Sequence, residues 1–420
     1  MNLAALFAGP KDIAEPARTN FRNVQIDAIG VGLAGAAASF LPIYLTRLNA
    51  SSFQIGLLSS MPAVTGLLIA IPLGRWLQRK ENIVRWFSIA RLMVIASYAL
   101  TGMISFFVSD KFLVNSILGV WALATIPQTI VAITFSVVMN AVAGPNRRFE
   151  LMSRRWSTLG ITTSIAVIGI GQMLDHVAFP LNYRIMFIVL SLGGLISYYF
   201  SSHISIAPAI PPKLVFKQSL KNQLVETRDL LTSQKPFMSF IAKRFVFLTG
   251  SALASPLIPL YLVRSVHATD GWISAINTAQ TAILVIGYFI WSNQSRKVGS
   301  RNVLIWTTLG VSMYPLMLAF LTSPWQIMIL AGMTGIFQAG IDLVFFDELM
   351  KTVPIEYSAI FVSAAQSIQY LSSIVAPLVG TTIADSFGLP AGLLFSAAFR
   401  FAGFLMFALA VKPKQATPSS

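Results

Sequence analysis

The stretch GRWLQRKENIVRW, residues 74–86, is a short basic segment pinned between two apolar runs of membrane-crossing length. A similar segment, SNQSRKVGSRNVLIW, returns at residues 292–306. Each follows the second long apolar run in its half of the chain, so the pairing implies a duplicated, polytopic membrane protein. Composition agrees. Of 420 residues, 55% are hydrophobic and only 11% are charged, whereas soluble domains carry about 25% charged residues. Apolar runs of roughly 20 residues recur throughout, the length that crosses a ~30 Å hydrocarbon core.

Outward from these two segments, the sequence predicts an all-α integral membrane protein with twelve transmembrane helices in two six-helix pseudo-symmetric bundles. The expected spans are 24–45, 54–77, 83–107, 113–140, 156–177, 185–203, 237–263, 272–293, 303–321, 326–350, 358–384 and 391–411. Residues 1–203 form the first bundle, 204–236 a linker and 237–420 the second bundle. Residues 1–22 hold Lys11, Asp12, Glu15, Pro16 and Arg18 with no sustained apolar stretch, unlike a cleavable signal.

The net charge of +15 raises the question of nucleic acid, but the distribution of basic residues argues against such a partner. They fall in alternate connections: Arg75, Arg79, Lys80 and Arg85, then Arg147, Arg148, Arg154 and Arg155, then Lys213, Lys217, Lys221 and Arg228, then Arg296, Lys297 and Arg301, with Lys351, Lys412 and Lys414 following. The opposite side offers Arg47, Lys111, Arg184 and Arg264. The positive-inside rule therefore places both termini and the linker in the cytoplasm, and the chain in the plasma (inner) membrane.

The halves repeat in detail. Pro42, Tyr44, Leu45 and Arg47 close the first span, and Pro259, Tyr261, Leu262 and Arg264 close the seventh in the same spacing. The linker opens on Pro208, Pro211 and Pro212. It then becomes amphipathic, with Phe216, Leu220, Leu224 and Leu231 beside a stripe of Lys217, Lys221 and Arg228. This pattern predicts a helix lying on the inner leaflet.

Twelve spans, cytoplasmic ends, a long middle loop and basic turns after the second and eighth spans resemble the major facilitator superfamily. The resemblance covers nearly the whole chain. In the family's motif, Gly74 matches the first glycine and Arg79 a basic position, but Gln78 stands where the acid belongs. In the second copy Lys297, Gly299 and Arg301 match, and Arg296 stands at the acid position. Gly144–Arg148, Ser153–Trp156, Val353–Glu356 and Pro377–Gly380 resemble further family segments. The resemblance implies that Gly74, Arg75, Arg79, Lys297, Gly299 and Arg301 serve the inner gate, and that the acid's lock uses other residues here or is weaker. The drug-antiporter signature of the fifth span needs a Gly-Pro pair, and this span has Gly160, Gly169 and Gly171 without proline.

Asp27, Arg91, Asp342 and Arg400 lie inside the predicted spans. A charge at the centre of a bilayer costs about 2.5–3.5 kcal/mol on insertion scales, so each needs a partner or water. Asp27, one turn into its helix, either pairs with Arg91 or lines a cavity as a substrate-binding or proton-carrying acid. Asp342 continues a stripe with Thr334 and Gln338 at helical spacing. It either pairs with Arg400 or faces the cavity that this span lines in the resembled family. Asp27 and Asp342 are the candidate coupling residues. Gln128, Asn277, Gln280, Gln338, Gln366, Gln369 and Tyr370 are the candidate cavity residues, on polar stripes of the fourth, eighth, tenth and eleventh spans. Pro42, Pro127, Pro256, Pro259 and Pro377 are candidate bends for alternating access.

No enzyme constellation stands out. There are no cysteines, and the three histidines (His176, His203 and His267) are dispersed, so neither a metal nor another cofactor is expected. No GxxxxGK[ST] loop supports an ATP-driven pump. The expected function is a secondary transporter that moves a small-molecule solute by alternating access, with proton-coupled export of an amphiphilic or aromatic metabolite as the first direction. An uptake permease or facilitator for a neutral solute is the alternative, and a transporter-fold scaffold or assembly factor the third reading. The expected partners are the solute, protons and membrane lipid, and the expected state is a monomer.

Overall fold

Lipid offers the backbone no hydrogen-bonding partner, so a chain this apolar has to satisfy its N–H and C=O groups inside helices. The computed structural model describes residues 15–50, 52–207, 220–268 and 270–409, and contains no strand among them. The first half comprises α1 (Ala17–Arg47), α2 (Ser52–Gln78), α3 (Ile83–Ile104), α4 (Asp110–Ala143), α5 (Arg148–His176), α6 (Leu181–Ser191) and α7 (Gly193–Ser202). A linker helix, α8 (Leu220–Ser233), leads to α9 (Lys235–Arg264), α10 (Asp270–Val298), α11 (Ser300–Leu318), α12 (Pro324–Thr352), α13 (Ser358–Phe387) and α14 (Leu389–Ala408).

The pair α6–α7 is one span interrupted at Leu192, so twelve spanning elements result when α8 is set aside. Ten are long and apolar enough to cross a membrane on composition alone. The other two, α5 and α11, are the more polar ones. In α11 the buried hydroxyls of Thr307, Thr308 and Ser312 return their bonds to carbonyls of the preceding turn, at 2.7, 2.6 and 2.7 Å, which removes most of their cost in lipid.

Most span ends lie within a few residues of the sequence expectation. The exceptions are α1, which starts at Ala17 rather than at 24, and α5, which starts at Arg148 rather than at 156. Hydropathy alone reads this basic segment as a loop, but arginine and glutamate are good helix formers, and carboxylates at that end neutralise the arginines. For the same reason α10 carries Arg296 and Lys297 within its last turn. The chain reverses at Gly299, whose φ of +79° favours glycine. In α8, Leu230 and Leu231 pack on the protein core and Thr227 is buried, so this part of the linker docks on protein rather than only on lipid. Residues 208–219 of the linker, with Lys213, Phe216 and Lys217, and Lys412 and Lys414 lie outside the described residues.

The two halves meet chiefly along two helix pairs, α2 against α13 and α5 against α10, with lesser contacts of α4 with α13 and of α5 with α12. At the end that carries the start of α1 and the end of α14, here the basic end, one core is common to both halves. It joins Phe21, Leu77 and Met139 to Phe237, Val303 and Phe361. At the far end the cores are separate. Tyr44, Leu113 and Phe187 belong to a cluster of the first half alone, and Leu257, Leu318 and Leu393 to one of the second half alone. The molecule is thus sealed at the basic end.

Candidate functional site

Midway between the halves lies a chamber of about 410 Å³, within the range of small-molecule sites. The helical repeat explains its lining. On α12, Gln338, Asp342, Phe345 and Leu349 succeed one another at three- and four-residue steps on a single face. On α13 Gln366 and Gln369 do the same, and on α9 Arg244 and Leu248. The first half contributes Phe135 and Ser136 of α4 and Trp156 of α5. The wall is largely aromatic and aliphatic, with a few polar groups converging on it.

Asp342 is half-buried and has no cationic partner among the described residues. Tyr288 of α10 donates its hydroxyl to Oδ2 at 2.8 Å, and Gln338 donates Nε2 to Oδ1 at 2.9 Å. The same Tyr288 accepts a hydrogen bond from Ser153 of α5 on its backbone oxygen, at 2.8 Å, and its ring lies 5.6 Å from that of Trp156. One tyrosine therefore ties the chamber carboxyl to a contact between the halves. Arg244 donates Nη2 to Gln369 Oε1 at 2.8 Å.

Below the chamber, polar latches close the basic end. Gln78, at the end of α2, donates Nε2 to the carbonyl of Glu356 at 2.7 Å and accepts from the backbone N–H of Ala359 at 3.0 Å. Its amide thus caps the start of α13, where helix N–H groups lack intrahelical acceptors. The residue at the motif's acid position serves the closure itself, with no acid. One turn earlier, Gly74 lets α2 approach α13, since a Cβ there would stand 2.3 Å from Ser363 Oγ and 2.8 Å from the Ala359 carbonyl oxygen. On the other side, Glu150 of α5 gathers Arg147, Arg154 and, across the halves, Arg296 at 3.0 Å. Arg148 reaches Asp347 of α12 at 3.4 Å and Asn140 at 2.7 Å. Arg75 is buried and donates to Thr227 of α8. Arg79 and Lys297 are exposed, and Gly299 is held by its backbone conformation without neighbours.

Of the expected cavity residues the chamber brings together Gln338, Gln366 and Gln369, and with them the coupling candidate Asp342. Gln128, Asn277, Gln280 and Tyr370 are not among the chamber's lining; the Tyr370 ring packs on Gly66 of α2. Asp27 is fully buried inside the first half. It pairs with Arg91, lies 3.7 Å from Arg155, and accepts a 2.6 Å hydrogen bond from Ser197. The expected pairing of Asp342 with Arg400 is not formed. Arg400 is buried against Gly250 of α9 and donates to the carbonyl of Val311 at 3.1 Å. Helix rotation decides this, because Asp342 turns toward α10 and the chamber while Arg400, on α14, turns toward Gly250 of α9 and Val311 of α11. Sequence reading missed Arg244, although Lys243-Arg244 stands within the apolar run 237–263. It also took Arg155 for a loop residue. Tyr288 and Trp156 carried no signal that a one-dimensional reading could use.

Residues 240–420 match the sequence model of the major facilitator superfamily. Among curated proteins, the multidrug resistance protein MdtG of Rahnella sp. (strain Y9602) is 25% identical over 174 residues, which is 40% of this chain and 42% of the relative. The matched segment therefore spans less than half of the relative's length. Among solved structures, the Escherichia coli fucose:proton symporter FucP superposes with a TM-score of 0.72 at 13% identity, over 92% of this chain and 97% of that one. A bacterial homologue of the iron transporter ferroportin, in an outward-facing state, gives 0.72 at 13% identity, over 93% and 98%. These structural likenesses establish the fold over about nine-tenths of the chain, and the family sequence model matches its second half.

Proposed function

We propose that this chain, a multi-pass membrane protein of the major facilitator superfamily, is a secondary transporter that moves a small amphiphilic solute by alternating access. The observation that carries this reading is the closure pattern. A chamber lies between two halves that share a core and polar latches at one end and have separate cores at the other. Rocking the halves about that chamber would exchange the sealed and open ends. The latches suit such a motion. They are few and local, and they join side chains to helix ends rather than interlocking large surfaces.

The alternation of basic connections supports a cytoplasmic basic end in an inner membrane, which makes the structure an outward-open form. The name of the MdtG relatives, multidrug resistance protein, supports export as the direction, and the aromatic wall of the chamber supports an amphiphilic cargo. Asp342 is the coupling candidate. It is the one acid among the described chamber residues, and its hydrogen bond from Tyr288 connects it to the Ser153 contact between the halves. Separation of α5 from α10 would disturb that tyrosine, and with it the setting in which the carboxyl holds or releases a proton. Asp27 suits a structural ion-pair role, because two arginines and a serine already surround it.

The test is flux in proteoliposomes of known orientation, screened over drug-like and metabolite amphiphiles with and without an imposed pH gradient. Saturable, gradient-sensitive movement is expected for some of them. Absence of flux for every solute, with folded protein in the vesicles, would sink the transporter reading.

A further inference from the structure

We infer that the solute carries a carboxylate on an aromatic or aliphatic body, and that Arg244 is the residue that holds it. This rests on the transporter reading above. Arg244 is the one cation among the described side chains that line the chamber. Its Nη2 is engaged by Gln369, but its Nε–H is buried and has no acceptor. The guanidinium lies 5.8 Å from the centre of the Phe345 ring on the chamber wall. No carboxylate neutralises it, because Asp342 is held by Tyr288 and Gln338.

The arginines buried more deeply than the half-buried Arg244 are engaged elsewhere: Arg75 donates to Thr227 and Arg148 reaches Asp347. Arg91 and Arg155 face Asp27, and Arg400 donates to the Val311 carbonyl. Among the described chamber residues Arg244 alone carries a permanent charge, and a turn of its side chain is needed to bring the buried, unmet Nε–H to a bound solute. A guanidinium does not escape burial by losing its proton, and an uncompensated charge inside the bilayer is unfavourable. An entering anion relieves that. The Nε–H and a neighbouring Nη–H form one edge of the guanidinium, and such an edge matches the two oxygens of a carboxylate. Phe135, Trp156, Leu248, Ile341 and Phe346 supply a surface for the apolar body. A neutral head group would leave the charge unmatched, and an ammonium would be repelled by it.

The test uses purified full-length protein and two matched sets of probes. The first is 4-phenylbutyrate, 4-phenylbutanamide and 4-phenylbutylamine. The second is the 2-naphthyl series with the same three head groups. Equilibrium binding of labelled probes should favour the carboxylate at least tenfold over the amide and the amine in each set. Arg244→Gln should lower carboxylate affinity by about tenfold to a hundredfold, and Arg244→Lys should retain part of it. If Arg244→Gln does not fold, the wild-type preference and the Arg244→Lys variant still decide. Equal binding of amide or amine, no binding of either carboxylate, or unchanged carboxylate affinity in Arg244→Gln would each overturn the inference. Flux of the same probes separates the two readings. Movement of an amine or amide without the carboxylate removes the anion site and leaves transport standing. Saturable, Arg244-dependent carboxylate binding without flux of any probe keeps the anion site and removes transport.

Discussion

Asp27 and Asp342 both lie inside the spans, and their surroundings assign them different work. Asp27 sits between Arg91 and Arg155 with no exposure to solvent. Its replacement by asparagine would leave two buried arginines without a counter-charge, a change that typically costs about 3–5 kcal/mol. Asp27→Asn is therefore expected to lower the melting temperature and the yield of monodisperse protein. Asp342→Asn breaks no ion pair, and Tyr288 and Gln338 can still bond to an amide after reorienting. Folded yield near wild type is expected there, together with loss of accumulation driven by a pH gradient and survival of solute exchange, which needs no net proton movement. Full gradient-driven accumulation in Asp342→Asn vesicles would show that this carboxyl is not the proton carrier.

Between helices, the closure of the basic end depends on how nearly α2 can lie against α13. Gly74 permits the contact and Gln78 bonds it. Gln78→Ala removes two hydrogen bonds, each worth about 0.5–1.5 kcal/mol net, so the equilibrium should move toward the form open at the basic end by roughly fivefold to 150-fold. Gly74→Leu should act in the same direction, because its side chain would meet Ser363 and the Ala359 backbone. Distances between spin labels on introduced cysteines at the two ends report this balance, and the native chain contains no cysteine to interfere. An unchanged distance distribution in both variants would show that the closure rests on other contacts. The Arg296–Glu150 pair should matter less, since Arg296 is 65% exposed and exposed pairs contribute about 0–1 kcal/mol.

For the assembled protein the first question is which way it sits in the membrane. The basic end is expected in the cytoplasm, so a cysteine at exposed Gln294 should be protected from an impermeant thiol reagent in intact cells, while one at exposed Ser109 should react. The reverse pattern would invert the orientation, and with it the outward-open reading of the structure.

The spans, the duplication and the polar faces were legible in the chain itself, because they depend on local physics. Apolar length sets the spans. The helical repeat sets which residues share a face, as with Gln338 and Asp342 or Gln366 and Gln369. The alternation of charge points to the orientation. Which face turns toward which neighbour was not legible. Asp27 meets Arg155, Asp342 meets Tyr288 rather than Arg400, and Gln78 caps a helix 281 residues further on. Arg244 shows the limit most clearly. The chain places it inside an apolar run, but its place on the chamber wall follows from the rotation of α9 against α12 and α13. That rotation comes from the packing of many side chains at once, so no window of sequence contains it.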